Sequence, residues 1–273
     1  MVLYALISNA SIGALFLGGI VPGLLMGAVL MGMNFWISHR RGFATEVPVP
    51  LRELPRVTGQ AFPALLMPAI LLYGIYGGVT TPTEAAAVAA AYALLLSTVF
   101  YRSLSLKSLY LILVESARSS AAVGIVIGGA LILNYIVASE NIPAALAAYL
   151  ADVNVSPLMF LLAVNLLVLV LGCLLDATTI ILVIVPLFIP TCNLLGIDLV
   201  HFGVIIVVNC MIGLITPPYG ILLFVINAVT GIPLRDIIRD VVPFLVVLVA
   251  ALLAMILIPD IVLFLPRLLG YEG

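Results

Sequence analysis

Eight apolar runs, at about 12–37, 60–76, 83–101, 109–138, 143–151, 157–195, 199–230 and 241–266, follow one another with only short polar interruptions. A straight α-helix needs roughly 20 apolar residues to cross the ~30 Å hydrocarbon core of a bilayer. Several runs have that length, and lipid is the only solvent that accommodates so many. Only 8% of the 273 residues are charged, against about 25% in an ordinary soluble domain, which is too few to cover a globular surface. The net charge of −2 gives no reason to expect a nucleic-acid partner. Cys173, Cys192 and Cys210 are odd in number and lie largely within apolar runs. They read as small buried hydrophobes rather than as disulfide partners or metal ligands. Met1 leads straight into Val2-Leu3-Tyr4-Ala5-Leu6-Ile7 with no basic stretch and no cleavage site, so this is not a secretory signal. The chain is expected to start inside a membrane segment, with an N-terminal portion missing.

Two runs do not fit a single span. Run 157–195 is too long and carries Gly172, Asp176, Pro186 and Pro190; run 199–230 is interrupted by Gly213 and by Thr216-Pro217-Pro218. Both read as broken helices. Basic residues gather in three places: His39-Arg40-Arg41 with Arg52 and Arg56, then Arg102, Lys107 and Arg118, then Arg235 and Arg239. The positive-inside rule puts all three on the cytoplasmic side, so an even number of crossings must separate the second from the third. Runs 157–195 and 199–230 would supply two. The stretch 109–151 would then enter and leave on one side as a re-entrant hairpin, its tip at 118–124. Glu115-Ser116-Ala117-Arg118-Ser119-Ser120 supports that reading, because charges stand where a span would carry leucine. Residues 38–57 and 231–240 read as amphipathic connectors at the interface.

The fold class expected is therefore all-α integral membrane, a multi-span bundle with a re-entrant hairpin and broken helices. Three places carry candidate chemistry. Thr81, Pro82 and Glu84 form a capping-box pattern, with proline where its missing N–H costs nothing, so their role is structural. Gly213-Leu214-Ile215-Thr216-Pro217-Pro218-Tyr219-Gly220 repeats the Gly-x-x-Thr-Pro pattern inside a long apolar run. Its two prolines remove two N–H donors and force the helix open. Open backbone in a membrane is stable only where it is buried in protein or lines a cavity. The carbonyls exposed there, around a threonine hydroxyl, suit a hard cation such as sodium. Asp176, a carboxylate between apolar stretches, is either a cation ligand or the N-cap of a helix over 177–185, and both roles are compatible. Asn134 and Asn209 are isolated polar residues suited to interhelical hydrogen bonds. His201 reads as interfacial.

Taken in order, several motifs resemble the large membrane subunit of TRAP (tripartite ATP-independent periplasmic) transporters. They are Gly78-Val79-Thr80-Thr81-Pro82-Thr83-Glu84, Glu115-Ser116-Ala117-Arg118, Gly196-Ile197-Asp198 with His201-Phe202-Gly203-Val204, and Gly213-Leu214-Ile215-Thr216-Pro217-Pro218-Tyr219-Gly220. Ile258-Pro259 and Leu265-Pro266-Arg267-Leu268-Leu269-Gly270 close the set. The resemblance runs from about Leu3 to Gly270. It implies one half of an elevator-type, sodium-coupled importer of small organic acids, such as a dicarboxylate or sialic acid, in the bacterial inner membrane. The partners implied are a small membrane subunit and a periplasmic substrate-binding protein; sodium is the coupling ion, and no other cofactor is expected. The domains implied are 1–57, the end of an N-terminal repeat with its connector, and 58–273, the C-terminal repeat.

Carried onto this sequence, the resemblance puts a sodium site between 172–179 and 213–217, with Gly172, Asp176, Thr178, Gly213, Ile215, Thr216 and Pro217 as its candidates. Substrate would meet Ser119 and Ser120 at the hairpin tip, and Pro218. Set against that pattern, the chain is expected to lack the N-terminal inverted repeat, and with it half of the substrate clamp and one sodium site. The alternatives are another sodium-coupled divalent-anion symporter, a non-transporting truncated subunit, or an intramembrane enzyme using Asp176. The last would need a second facing acid, and the other carboxylates sit at loops or helix ends.

Overall fold

The computed structural model describes residues 1–42, 53–76, 80–145 and 155–271. Among them every regular element is helical. Four helices are long and apolar enough to cross a membrane, Ile12–Arg41, Pro82–Phe100, Leu106–Ser139 and Leu234–Leu257, and shorter apolar helices accompany them. The chain divides into two compact units, 1–42 with 123–273, and 43–122.

In the smaller unit, Leu54–Tyr76 (α3) and Pro82–Leu95 (α4) pack as a pair. The Tyr92 hydroxyl donates to the Pro63 carbonyl at 2.9 Å. A capping box starts α4: Thr81 Oγ1 accepts from Glu84 N at 3.3 Å, and Glu84 Oε2 accepts from Thr81 N at 2.8 Å, with Pro82 in the first turn.

The larger unit is built around Leu199–Gly213 (α9), most of whose residues are buried. Val2–Ser8 (α1), Ile12–Arg41 (α2), Pro157–Gly172 (α6), Leu234–Leu257 (α11) and Asp260–Leu268 (α12) pack in and around it. Lipid tails are as apolar as leucine, so such helices are held by close packing and interhelical hydrogen bonds rather than by expulsion of water. Gly203 is the clearest instance. The Tyr4 ring fills the space where a side chain would stand, and its hydroxyl donates to the Leu199 carbonyl at 2.7 Å. His201 is buried in protein, 3% exposed, with Nε2 2.9 Å from the Met255 carbonyl. The three cysteines are free and buried.

Two ends of this unit are identifiable. At one, Asn9, Ser11, Asn193, Asp198, Arg267 and Tyr271 surround a polar cavity of about 630 Å³. At the other, Arg41 at the end of α2 pairs with Asp240 of α11 at 2.7 Å. His39-Arg40-Arg41 therefore share one end with Arg235 and Arg239 of the third cluster, as the positive-inside rule requires.

The re-entrant hairpin is not where the charges place it. Residues 109–138 belong to one continuous helix, Leu106–Ser139 (α5), of 34 residues, so Ser119 and Ser120 are not at a tip. The reason is length. At 1.5 Å per residue this helix measures about 51 Å, roughly 20 Å more than the hydrocarbon core. Its first turns, with Lys107, Glu115 and Arg118, can extend beyond the apolar layer, and the uncharged stretch 119–139 is long enough to cross alone.

The hairpin is instead 157–194. Its first arm, α6, has 16 residues and a length of about 24 Å, too short to cross. The chain turns at 173–176 and returns through Ala177–Leu187 (α7) and Ile189–Leu194 (α8). Two contacts fix the arms as antiparallel: Ile180 Cδ1 lies 3.9 Å from the Cβ position of Gly172, and the Phe160 and Phe188 ring centroids are 6.1 Å apart. The second arm ends at Asn193, beside Asp198 and Ser11. From there α9, a break, and Ile221–Thr230 (α10) run on to Leu234 and the Arg41–Asp240 end. Of the described helices that follow the second basic cluster, α5 is long enough for one crossing and α9 with α10 for another, while the hairpin supplies none.

Within the second arm, Ile180–Ile184 is a π turn. Pro186, four residues after Leu182, has no N–H to give, and Asn134 Nδ2 of α5 donates to the stranded Leu182 carbonyl at 3.1 Å. Because the Tyr4 ring is enclosed and hydrogen-bonded, a methyl at position 203 would clash with its Cε1. Gly203→Ala should therefore cost about 1–3 kcal/mol, read as a lower unfolding temperature in detergent. Gly27→Ala, with nothing within 4 Å, should leave it unchanged.

Candidate cation site at two helix breaks

The two breaks of the larger unit meet each other. A Cβ built on Gly213 would lie 2.7 Å from Gly172 Cα and 2.8 Å from its carbonyl carbon; one on Gly172 would lie 3.1 Å from Gly213 Cα. The backbones touch, and only hydrogen side chains permit it. The hairpin tip and the end of α9 are thus one place.

At the first break α6 ends at Gly172, and Asp176 starts the next helix as its N-cap. One carboxylate oxygen accepts from Thr178 N at 2.9 Å and Thr179 N at 3.3 Å, and the other accepts from the Thr179 hydroxyl. The capping role of Asp176 is formed, and each oxygen still keeps lone-pair capacity. Between these points the carbonyls of Gly172, Cys173, Leu174 and Leu175 accept no hydrogen bond from the described residues.

At the second break, residues 214–220 are non-helical between α9 and α10, and the Pro217-Pro218 peptide is cis. Ile215 N and Thr216 N fold back onto the carbonyls of Ile212 and Gly213 at 3.1 and 3.0 Å. The Thr216 hydroxyl donates to the Ile212 carbonyl at 2.7 Å, which leaves its oxygen lone pairs outward. The carbonyls of Ile215, Thr216, Pro217 and Pro218 have no donor among the described residues. Residues 214–217 are half-buried, whereas Pro218 and Tyr219 are exposed. The burial expected for the whole break is therefore only partial in this chain.

Of the sequence candidates, Gly172 and Gly213 touch, and Asp176, Thr178, Ile215, Thr216, Pro217 and Pro218 belong to the same two breaks. Ser119 and Ser120 do not: they lie exposed on α5, in the 43–122 unit. Thr81, Pro82 and Glu84 form their cap in that unit as well. Sequence reasoning missed the carbonyls of 173–175 and a buried asparagine, Asn165, that bonds Asn209 across α6 and α9. The signal for Asn165 was a lone amide in the otherwise apolar helix 157–172.

The two breaks, joined at one backbone contact, carry a carboxylate, a hydroxyl and two sets of unengaged carbonyls, all oxygen donors of the kind hard cations take. Because Gly213 faces backbone, Gly213→Ala should part the breaks and lower the unfolding temperature by the equivalent of about 1–3 kcal/mol. Gly172→Ala, with its nearest atom at 3.1 Å, should lower it less.

Comparison with known proteins agrees with this architecture. Residues 1–261 match the family described as tripartite ATP-independent periplasmic transporter, DctM component. The chain is 42% identical over 272 residues to the sialic acid TRAP transporter large permease protein SiaM of Vibrio cholerae, covering 99% of this chain and 64% of that one. It is 40% identical over 270 residues to the C4-dicarboxylate TRAP transporter large permease protein DctM of Pseudomonas aeruginosa, covering 99% and 63%. The isethionate TRAP transporter permease protein DctMQ of Oleidesulfovibrio alaskensis is 39% identical over 264 residues, 96% of this chain and 42% of that one. The chain thus spans under two thirds of the length of these relatives. They are transport permeases, not enzymes, and neither the divalent-anion symporter nor the intramembrane-enzyme alternative survives the match. This multi-pass membrane chain belongs to the DctM component family of the tripartite ATP-independent periplasmic transporters.

Proposed function

We propose that this chain belongs to the permease of a sodium-coupled secondary transporter that imports small organic acids across the bacterial inner membrane. The observation that carries the proposal is the meeting of the two breaks at Gly172 and Gly213, with Asp176, Thr216 and unengaged carbonyls on both sides. Sodium is the coupling ion and sits between 172–179 and 213–217. The carboxylate of Asp176 supplies charge without leaving its cap, and the carbonyls of 172–175 and 215–218 supply neutral oxygens. In transporters, half-helices that end at the midplane serve ions and anionic groups in this way.

The substrate is a small organic anion. Sialic acid, C4-dicarboxylates and isethionate, named for the relatives, are all acids. The N-terminus of α10, which has no side-chain cap, follows the exposed Pro218 and offers an anion the positive end of a helix. A small membrane subunit and a periplasmic binding protein complete the system, and movement of the hairpin with the broken helix past a static scaffold carries the site across.

Asp176→Asn separates capping from charge, because asparagine caps a helix as well as aspartate does. In proteoliposomes holding the complete transporter, Asp176→Asn and Thr216→Val should each raise the sodium concentration for half-maximal uptake roughly ten-fold or more, since contacts to a charged group are worth about 1.5–3 kcal/mol. Unchanged sodium dependence in both variants refutes the shared site.

A further inference from the structure

The two breaks do not hold themselves together, because a glycine–glycine contact gives closeness without direction. Asn165 of α6 and Asn209 of α9, 4% and 0% exposed, provide direction. Asn209 Nδ2 donates to the Asn165 carbonyl at 2.6 Å and to Asn165 Oδ1 at 3.0 Å, and Asn165 Nδ2 donates to the Leu161 carbonyl at 2.8 Å. These bonds fix both amides: turned over, Asn209 would set its oxygen against two acceptors. Asn209 Oδ1 is left buried with no partner. Such an acceptor costs stability, and two leucines would fill the same space among Leu161, Val164, Val168, Ile205, Ile206 and Ile212, all buried.

The position of the pair accounts for that cost. Asn165 lies seven residues before Gly172 and Asn209 four before Gly213, about two helical turns and one turn from the contact. Leucines permit α6 to slide along α9, whereas directional bonds do not. A slide of a fraction of a turn takes Gly172 off Gly213 and separates the carbonyls of 172–175 from those of 215–218. We propose that the Asn165–Asn209 pair is the positioning element of the cation site: it sets the register of the hairpin's first arm on α9 and gives up stability to do so. This rests on the reading of the two breaks as a sodium site.

The test opposes stability to sodium affinity. The complete transporter is prepared with Asn209→Leu, with Asn165→Leu, and with both. Unfolding temperature is measured without sodium, and uptake in proteoliposomes is measured against sodium. Removing both amides removes the orphaned acceptor, so the double variant should unfold no lower than wild type without sodium. Its half-maximal sodium should rise roughly three- to ten-fold, the factor that interhelical hydrogen bonds of this kind are worth, with the maximal rate at saturating sodium retained. Either single variant reports the same rise if the double variant is poorly produced. An unchanged half-maximal sodium overturns the proposal, and so does a lower sodium-free unfolding temperature together with a lower maximal rate, which marks a merely structural pair. Thr216→Val, run alongside, keeps the two readings apart. If it raises the sodium requirement while the asparagine variants do not, the cation site stands and the positioning role falls. If neither it nor Asp176→Asn changes sodium dependence, the site itself falls.

Discussion

A backbone carbonyl that loses its helical partner inside hydrocarbon must find another or be covered, and the larger unit is arranged around that demand. At each of its two breaks, protein stands against part of the opened backbone. The tip at 173–176 lies against the end of α9, and the carbonyl of Leu182, stranded by Pro186, takes an amide from Asn134. Among the described residues, carbonyls left without a donor stand on both sides of the contact of Gly172 with Gly213. The same rule that forbids loose backbone elsewhere makes this remainder conspicuous.

Packing around α9 follows from the absence of a hydrophobic driving force between helices in lipid. Side-chain hydrogen bonds to carbonyls recur at the closest approaches: Tyr4 to Leu199, His201 at Met255, Asn209 to Asn165. Each ties α9 to a different neighbour, α9 from within and α1, α11 and α6 from without. The central helix is therefore pinned by directional bonds along its length, while the arms that meet its C-terminal end close on it by glycine.

Much of this was legible in the sequence, because proline and capping act locally. Pro217 and Pro218 open a helix wherever they stand, Thr81 with Glu84 caps one, and Asp176 before two threonines caps another; the structure has all three features. The location of the hairpin was not legible from charge alone. Glu115 and Arg118 were counted as lying inside the bilayer, yet a helix of 34 residues has length to spare and can keep them out. The run 157–195 was counted as a crossing, although Gly172 and Asp176 divide it into two antiparallel arms, the first of them too short to cross. That His201 turns onto the Met255 carbonyl was not legible either, because the direction of a side chain depends on which helices surround it, and no local pattern carries that. Asn165 has meaning only beside Asn209, 44 residues away.

The hairpin also bears on how the molecule comes to exist. The first arm is too short to cross by itself, and a tip bearing a carboxylate and a row of bare carbonyls has no stable place among acyl chains. It can settle only against a partner that already presents Gly213 and the flank of α9, and α9 is synthesised after it. The segment 157–194 must therefore wait at the membrane surface, or in the shelter of the insertion machinery, until the following helix is in place. Biogenesis and chain order run in opposite directions here, because the hairpin is made before the helix it must be seated against.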